Sequence, residues 1–94
     1  MPRTHDYRYL AEIGRRIRER REAKGWSQAQ LGRRAWVRPQ QISKYELGLS
    51  DPPVSTVLRI CTALGMLASS LLVEAALLAE QDKTVDDPIR KELA

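Results

Sequence analysis

Phenylalanine is absent from this 94-residue chain, histidine and cysteine occur once each, and aromatic residues make up only 5%. A single cysteine, Cys61, rules out an internal disulfide and any cysteine cluster for a metal. The lone histidine, His5, lies near the N-terminus, so no Cys–His or Ser–His arrangement for nucleophilic catalysis can be assembled from nearby residues. Cys61 itself sits in an apolar run, which makes it a small core residue rather than a nucleophile. The five glycines are scattered, and none belongs to a loop that could cradle a phosphate. No apolar stretch approaches the length of about 20 residues needed to span a bilayer, and MPRTHDYRYL has no signal core. These absences argue against an enzyme and predict a soluble, cytoplasmic protein without metal or cofactor.

Charge is plentiful and unevenly placed. Residues 1–50 hold 12 Lys/Arg against 5 Asp/Glu, whereas residues 51–94 hold 4 against 7. A basic front half and a mildly acidic back half fit one face for an anionic polymer and another for something else, although an arginine-rich solvated helix surface has the same composition. The length fits one domain with a small core, for which a second subunit is a natural source of further burial.

The hydrophobic spacing predicts helices throughout. Met1 to Asp6 reads as a tail, with Asp6 able to cap a helix that runs to about Lys24 and buries Leu10, Ile13, Gly14 and Ile17, with Arg21 on the same line. Gly25 is placed to end it in a left-handed cap. Ser27 and Gln30 form the S-x-x-Q pattern of a capping box, opening a second helix with Leu31 inward. Gly32 is unfavourable in a helix interior by about 1 kcal/mol, and steric permission explains it better than flexibility. A third helix opens at Pro39, which suits a first helical position, and carries Ile42 and Tyr45 inward. Its polar side shows Gln40, Gln41, Ser43 and Lys44, groups able to make hydrogen bonds to base edges, on a helix short enough to be held in a major groove. A fourth helix is expected from about Val54 to Leu64, with Val57, Leu58, Ile60, Cys61 and Leu64 inward, and Gly65 ends it. The fifth runs from about Ala68 to Gln81. Residues 82–94 form a polar stretch broken by Pro88, either disordered or carrying a short helix from Pro88 onward.

The ordered set Ile17-Arg18, Arg21, Gly25, Ser27-Gln28, Leu31, Val37, Ile42-Ser43, Tyr45-Glu46, Gly48, Pro52, Leu58-Arg59-Ile60 and Ala63-Leu64-Gly65 resembles the helix-turn-helix of the Cro-and-repressor, or XRE-type, DNA-binding proteins. It spans Ile13 to about Leu72, and it implies that Trp26 packs inward and that Gly32 is small because the two helices of the motif cross closely there. The resemblance implies an all-α, five-helix, lambda-repressor-like DNA-binding domain over residues 7–81. It also implies that Gln40, Gln41 and Lys44 face the groove, with Ser43 a weaker candidate because the family often uses serine there for packing. Phosphate contacts are expected from Ser27 and Gln28 at the start of the second helix, from its N-terminal amides, and from Arg38. Arg33 and Arg34 either add long-range attraction or are plainly solvated. The resemblance further implies an ion pair between Arg21 and Glu46 that fixes the pitch of the recognition helix. Two departures stand out. Trp36 occupies the position of the usual positive-φ glycine, and Arg38 replaces the usual capping Ser or Thr. A bulky residue at positive φ is strained, so the turn should be remodelled or lengthened.

The fifth helix carries a separate message. Ala68, Leu71, Leu72, Ala75, Leu78 and Ala79 lie on one side, while Val73 and Leu77 face nearly the opposite way. Either a two-fold homodimer buries Val73 and Leu77, or the acidic tail folds back over them. The overall expectation is a transcriptional regulator, most plausibly a repressor, on a palindromic site in double-stranded DNA. Two rivals stay open: a module in which helix five and the tail hold a protein partner such as a toxin, and a sequence-indifferent DNA coat.

Overall fold

The computed structural model describes the backbone of residues 4–86 and the side chains of residues 8–79. Among the described residues there are five α-helices and no strands: α1 Thr4–Ala23, α2 Gln28–Ala35, α3 Pro39–Glu46, α4 Val54–Leu64 and α5 Ala68–Asp86. Each boundary has a local cause. Gly25 takes φ +71° after α1, and the amides of Gly25 and Trp26 close back onto Glu22 and Arg21 carbonyls. Ser27 caps α2 reciprocally with Gln30: the Gln30 amide donates to Ser27 Oγ at 3.0 Å, and the Ser27 amide donates to Gln30 Oε1 at 2.8 Å. Gly65, at φ +70°, stops α4.

The core is built where these helices meet. Ile13 and Ile17 of α1, Leu31 and Ala35 of α2, and Ile42 and Tyr45 of α3 pack with Val57, Ile60, Cys61 and Leu64 of α4 and with Leu71 and Ala75 of α5. Trp26 is half-buried against this cluster, as the sequence indicates. Lys24 and Arg34 lie over its ring at 5.2 and 4.3 Å from the centroid. The ion pair between Arg16 and Glu74 ties α1 to α5.

Five expectations need correction. The first helix begins at Thr4, so Asp6 lies in its first turn and does not cap it; acids are favoured in both places, by capping and by the helix dipole. The fifth helix continues to Asp86, five residues beyond Gln81, because a polar run without glycine or proline need not break a helix. What was expected of residues 87–94 lies outside the described residues. Leu58 is 51% exposed. The stripe of Val57, Ile60, Cys61 and Leu64 fills the core, and the neighbouring edge of α4 that is also buried belongs to Thr56. Gly32 is needed for a close approach of the turn, not of the next helix: a Cβ there would lie 2.4 Å from the Val37 carbonyl oxygen. Finally, the turn is not remodelled around Trp36. The tryptophan itself adopts the left-handed conformation (φ 59°, ψ 44°), and the Val37 amide closes onto the Gly32 carbonyl at 2.8 Å.

Candidate nucleic-acid interface

The polar face is carried by α3, eight residues long. So short a helix is marginal alone, and its position comes from its neighbours. Ile42 and Tyr45 sink into the core, which turns Gln40 and Lys44, one helical turn apart, outward into solvent. Gln41 and Ser43 lie at the edges of that face, half-buried. Gln41 donates from Nε2 to the Tyr45 hydroxyl at 3.4 Å, a weak bond that leaves its amide oxygen unused. Of the four expected base-reading residues, two are therefore fully presented and two are partly shielded. At the N-terminus of the helix, Arg38 is exposed and in the extended region (φ −66°, ψ 143°), with Pro39 following it. No side chain caps this end.

The C-terminal end of α3 is fixed much more firmly. Arg21 reaches Glu46 through two bonds, Nε to Oε2 at 2.6 Å and Nη2 to Oε1 at 2.9 Å. Its remaining nitrogen, Nη1, donates to the Trp26 carbonyl at 2.7 Å. The Arg21 and Glu46 side chains are 11% and 3% exposed. Hydrogen bonding to Glu46 pushes the guanidinium pKa above its ordinary value, against the opposing effect of burial. Glu46 Oε1 also accepts from Gln28 Nε2 at 3.1 Å. One charged cluster thus links the end of α1, the start of α2 and the end of α3.

Two supports of this face escape sequence reasoning. Gly14 of α1 lies so near α3 that a Cβ would stand 2.2 Å from the Tyr45 carbonyl oxygen and 2.6 Å from that of Glu46. The periodic pattern marks Gly14 as inward-facing but not as the point of closest approach. Arg59 of α4 donates from Nε to the Ala35 carbonyl at 3.0 Å, satisfying an acceptor at the C-terminal end of α2 beside the turn, and from Nη2 to Thr56 Oγ1 at 3.3 Å. An exposed arginine on a helix carries no sequence signal for that task.

Ser27 is exposed, with its oxygen and backbone amide engaged in the capping box. Arg33 and Arg34 extend the basic surface along α2. Val73 and Leu77 on α5 are 56% and 59% exposed, on the side away from Leu71, Ala75 and Ala79. Cys61 is buried, and burial pushes its thiol pKa up.

The comparisons with known proteins agree with this architecture. The family model described as "Helix-turn-helix" matches residues 17–69, just over half of the chain. The chain is 28% identical over 76 residues to the SPbeta prophage-derived HTH-type transcriptional regulator YonR of Bacillus subtilis (strain 168), covering 81% of this chain and 70% of that protein. Among solved structures, the restriction-modification controller protein C.AhdI from Aeromonas hydrophila matches with a TM-score of 0.64 and 31% identity, over 66% of this chain and 94% of that one. The clp gene regulator ClgR from Corynebacterium glutamicum matches with a TM-score of 0.73 and 26% identity, over 87% of each chain. The five-helix fold is that of the lambda-repressor-like DNA-binding domains, and the chain belongs to the XRE-type helix-turn-helix family of DNA-binding transcriptional regulators.

Proposed function

We propose that the protein is a sequence-specific transcriptional repressor that binds as a homodimer to a palindromic operator in double-stranded DNA. The observation that carries the reading is the contrast between the two faces of α3: Ile42, Tyr45 and Glu46 are buried, with Glu46 paired to Arg21, whereas Gln40 and Lys44 project freely from the same helix. In the groove, Gln40 would pair with adenine N6 and N7, and Lys44 would donate to guanine O6 or N7. Gln41 and Ser43, at the edges, would contact whatever lies beside those bases. Ser27, Gln28 and Arg38 would hold phosphates, Gln28 through the amide hydrogen it does not give to Glu46. The Arg21–Glu46 pair would set the pitch of the helix.

Dimer formation through α5 is supported by the exposure of Val73 and Leu77 one turn apart, since burying a side chain of this size contributes roughly 1.5–3 kcal/mol. A two-fold pair would present its recognition helices to successive major grooves about 34 Å apart. A regulatory role is also consistent with the relatives: a prophage-derived HTH-type transcriptional regulator, a restriction-modification controller protein and a clp gene regulator. This role places the protein in the cytoplasm, with the DNA.

Selection of bound duplexes from a random pool tests the proposal. The expected product is a pair of inverted half-sites preferred over random DNA by about a thousandfold or more. Equal retention of all sequences would leave a sequence-indifferent coat, and a single half-site would remove the dimer.

A further inference from the structure

We propose that Trp36 is a DNA contact, packing its indole on the sugar–phosphate backbone at the far wall of the groove that α3 enters. The inference rests on the DNA-binding reading above. Trp36 is 86% exposed, more than any other large hydrophobic side chain among the described residues, and it is the only non-glycine among them at positive φ. Left-handed backbone costs a tryptophan conformational energy that glycine would not incur, and the exposed ring recovers none of it by packing in the free protein.

The surroundings of the ring define what it fits. It forms a ridge between two grooves, one running along α2 and Pro39 and the other towards Gln41 and Thr56. Both contain Arg38, and their rims add Arg33 and Arg59, with no carboxylate lining either. An apolar ridge set among arginines is complementary to an anionic surface with apolar faces, as deoxyribose between phosphates provides.

Position along α2 selects the duplex. Ser27 and Gln28, the expected phosphate contacts, stand at its N-terminal end, and Trp36 stands at its C-terminal end. Eight residues of helix are about 12 Å long, close to the roughly 12 Å width of the major groove. With one end of α2 on one strand, the turn lies against the other. Bases are stacked inside the duplex, so the ring meets sugar, and the contact adds affinity without reading sequence.

The test is W36G in the full chain, assayed on the operator obtained by selection, with W36F and R38A alongside. Glycine is relaxed at this φ, so W36G should melt at or above the wild-type temperature, and weaker binding cannot then be attributed to unfolding. Operator and random-duplex affinities should both fall about tenfold, with their ratio unchanged and with partial recovery in W36F. The dependence of log affinity on log salt should keep its slope in W36G, because a neutral ring displaces no counterion, whereas R38A should make the slope shallower by about one. W36G binding as tightly as the wild type overturns the inference and leaves the DNA-binding reading standing. A wild-type chain that binds no duplex at all overturns both.

Discussion

Replacing Glu46 by glutamine changes one oxygen into an NH2 group and leaves the size of the side chain almost untouched. In this structure that small change is expensive. The carboxylate accepts three hydrogen bonds, two from Arg21 at 2.6 and 2.9 Å and one from Gln28 at 3.1 Å. In E46Q the substituted amide can present its single oxygen to one side of the Arg21 fork, but its NH2 then faces another donor. The guanidinium remains charged in E46Q, because an arginine titrates far above the working range even without the carboxylate beside it. A raised folded pKa stabilises below the unfolded value and is lost only as pH climbs through the folded one, so no alkaline step from this pair is expected in ordinary buffers. Breaking a buried pair by removing one partner costs about 3–5 kcal/mol. Arg21 keeps its bond to the Trp26 carbonyl, which argues for the lower end, about 3 kcal/mol. In a domain of this size each kcal/mol moves the midpoint by roughly 4–8 °C, so E46Q should melt at least about 12 °C below the wild type. Thermal and urea unfolding followed by helical circular dichroism would measure it. R21L/E46L, which removes both charges, should regain most of the loss, since buried pairs are often replaceable by apolar side chains. A loss below about 1 kcal/mol in E46Q, or a double variant no better than the single one, would refute the reasoning.

Gly14→Ala should be destabilising although alanine favours helix by about 1 kcal/mol, because the new Cβ would stand 2.2 Å from the Tyr45 carbonyl oxygen. A melting temperature at or above that of the wild type would show that α3 can withdraw freely. Leu77→Glu should yield monomers in sedimentation equilibrium and weaken operator binding; an intact dimer would move the interface off α5. Gln40→Ala and Lys44→Ala should each narrow the gap between preferred and mismatched operators by roughly 1–3 kcal/mol, measured by competition binding, and an unchanged gap in both would remove them as base readers. Cys61 should react with a thiolate-directed reagent at pH 8 roughly a thousandfold more slowly in the native chain than in urea, because labelling requires opening of the fold. Its thiol pKa is raised by burial, so its contribution to stability is complete below the unfolded value of about 8.5 and falls as pH rises from there towards the folded value. Rapid native labelling would refute the burial argument.

Much of the fold is legible because the signals are local and agree with one another. Ser27 and Gln30 are three residues apart and cap the same turn, Gly25 and Gly65 close their helices at positive φ, and Pro39 opens α3 where its missing amide does no harm. What the sequence could not show depends on partners far along the chain. Gln28 looks like a free polar residue at a helix start, yet it bonds to Glu46, 18 positions away. Leu58 fits an apolar helix pattern, but how the neighbouring elements sit on α4 leaves Thr56 covered and Leu58 exposed. The remodelled turn expected around Trp36 followed from a sound energy rule, that bulky residues avoid positive φ. The rule gives a cost of about 1–2 kcal/mol, and the neighbouring contacts outweigh it. Val37 packs against the core, its amide is bonded to Gly32, and Gly32 leaves no Cβ in the way. The local strain is real, and the turn bears it.

The supports of α3 are also distributed unequally, and this bears on how a groove could be read. Its C-terminal end is held by Arg21, by the close approach of Gly14, and by Gly48, whose backbone lies so near α1 that a Cβ would stand 3.0 Å from the Ala11 Cα. Its N-terminal end is held by Ile42 in the core and has no side-chain cap. Under the proposed function, Lys44 stands nearer the clamp and Gln40 nearer the uncapped end, and both read bases. Weakening the clamp should cost discrimination first at the base pairs that Lys44 contacts.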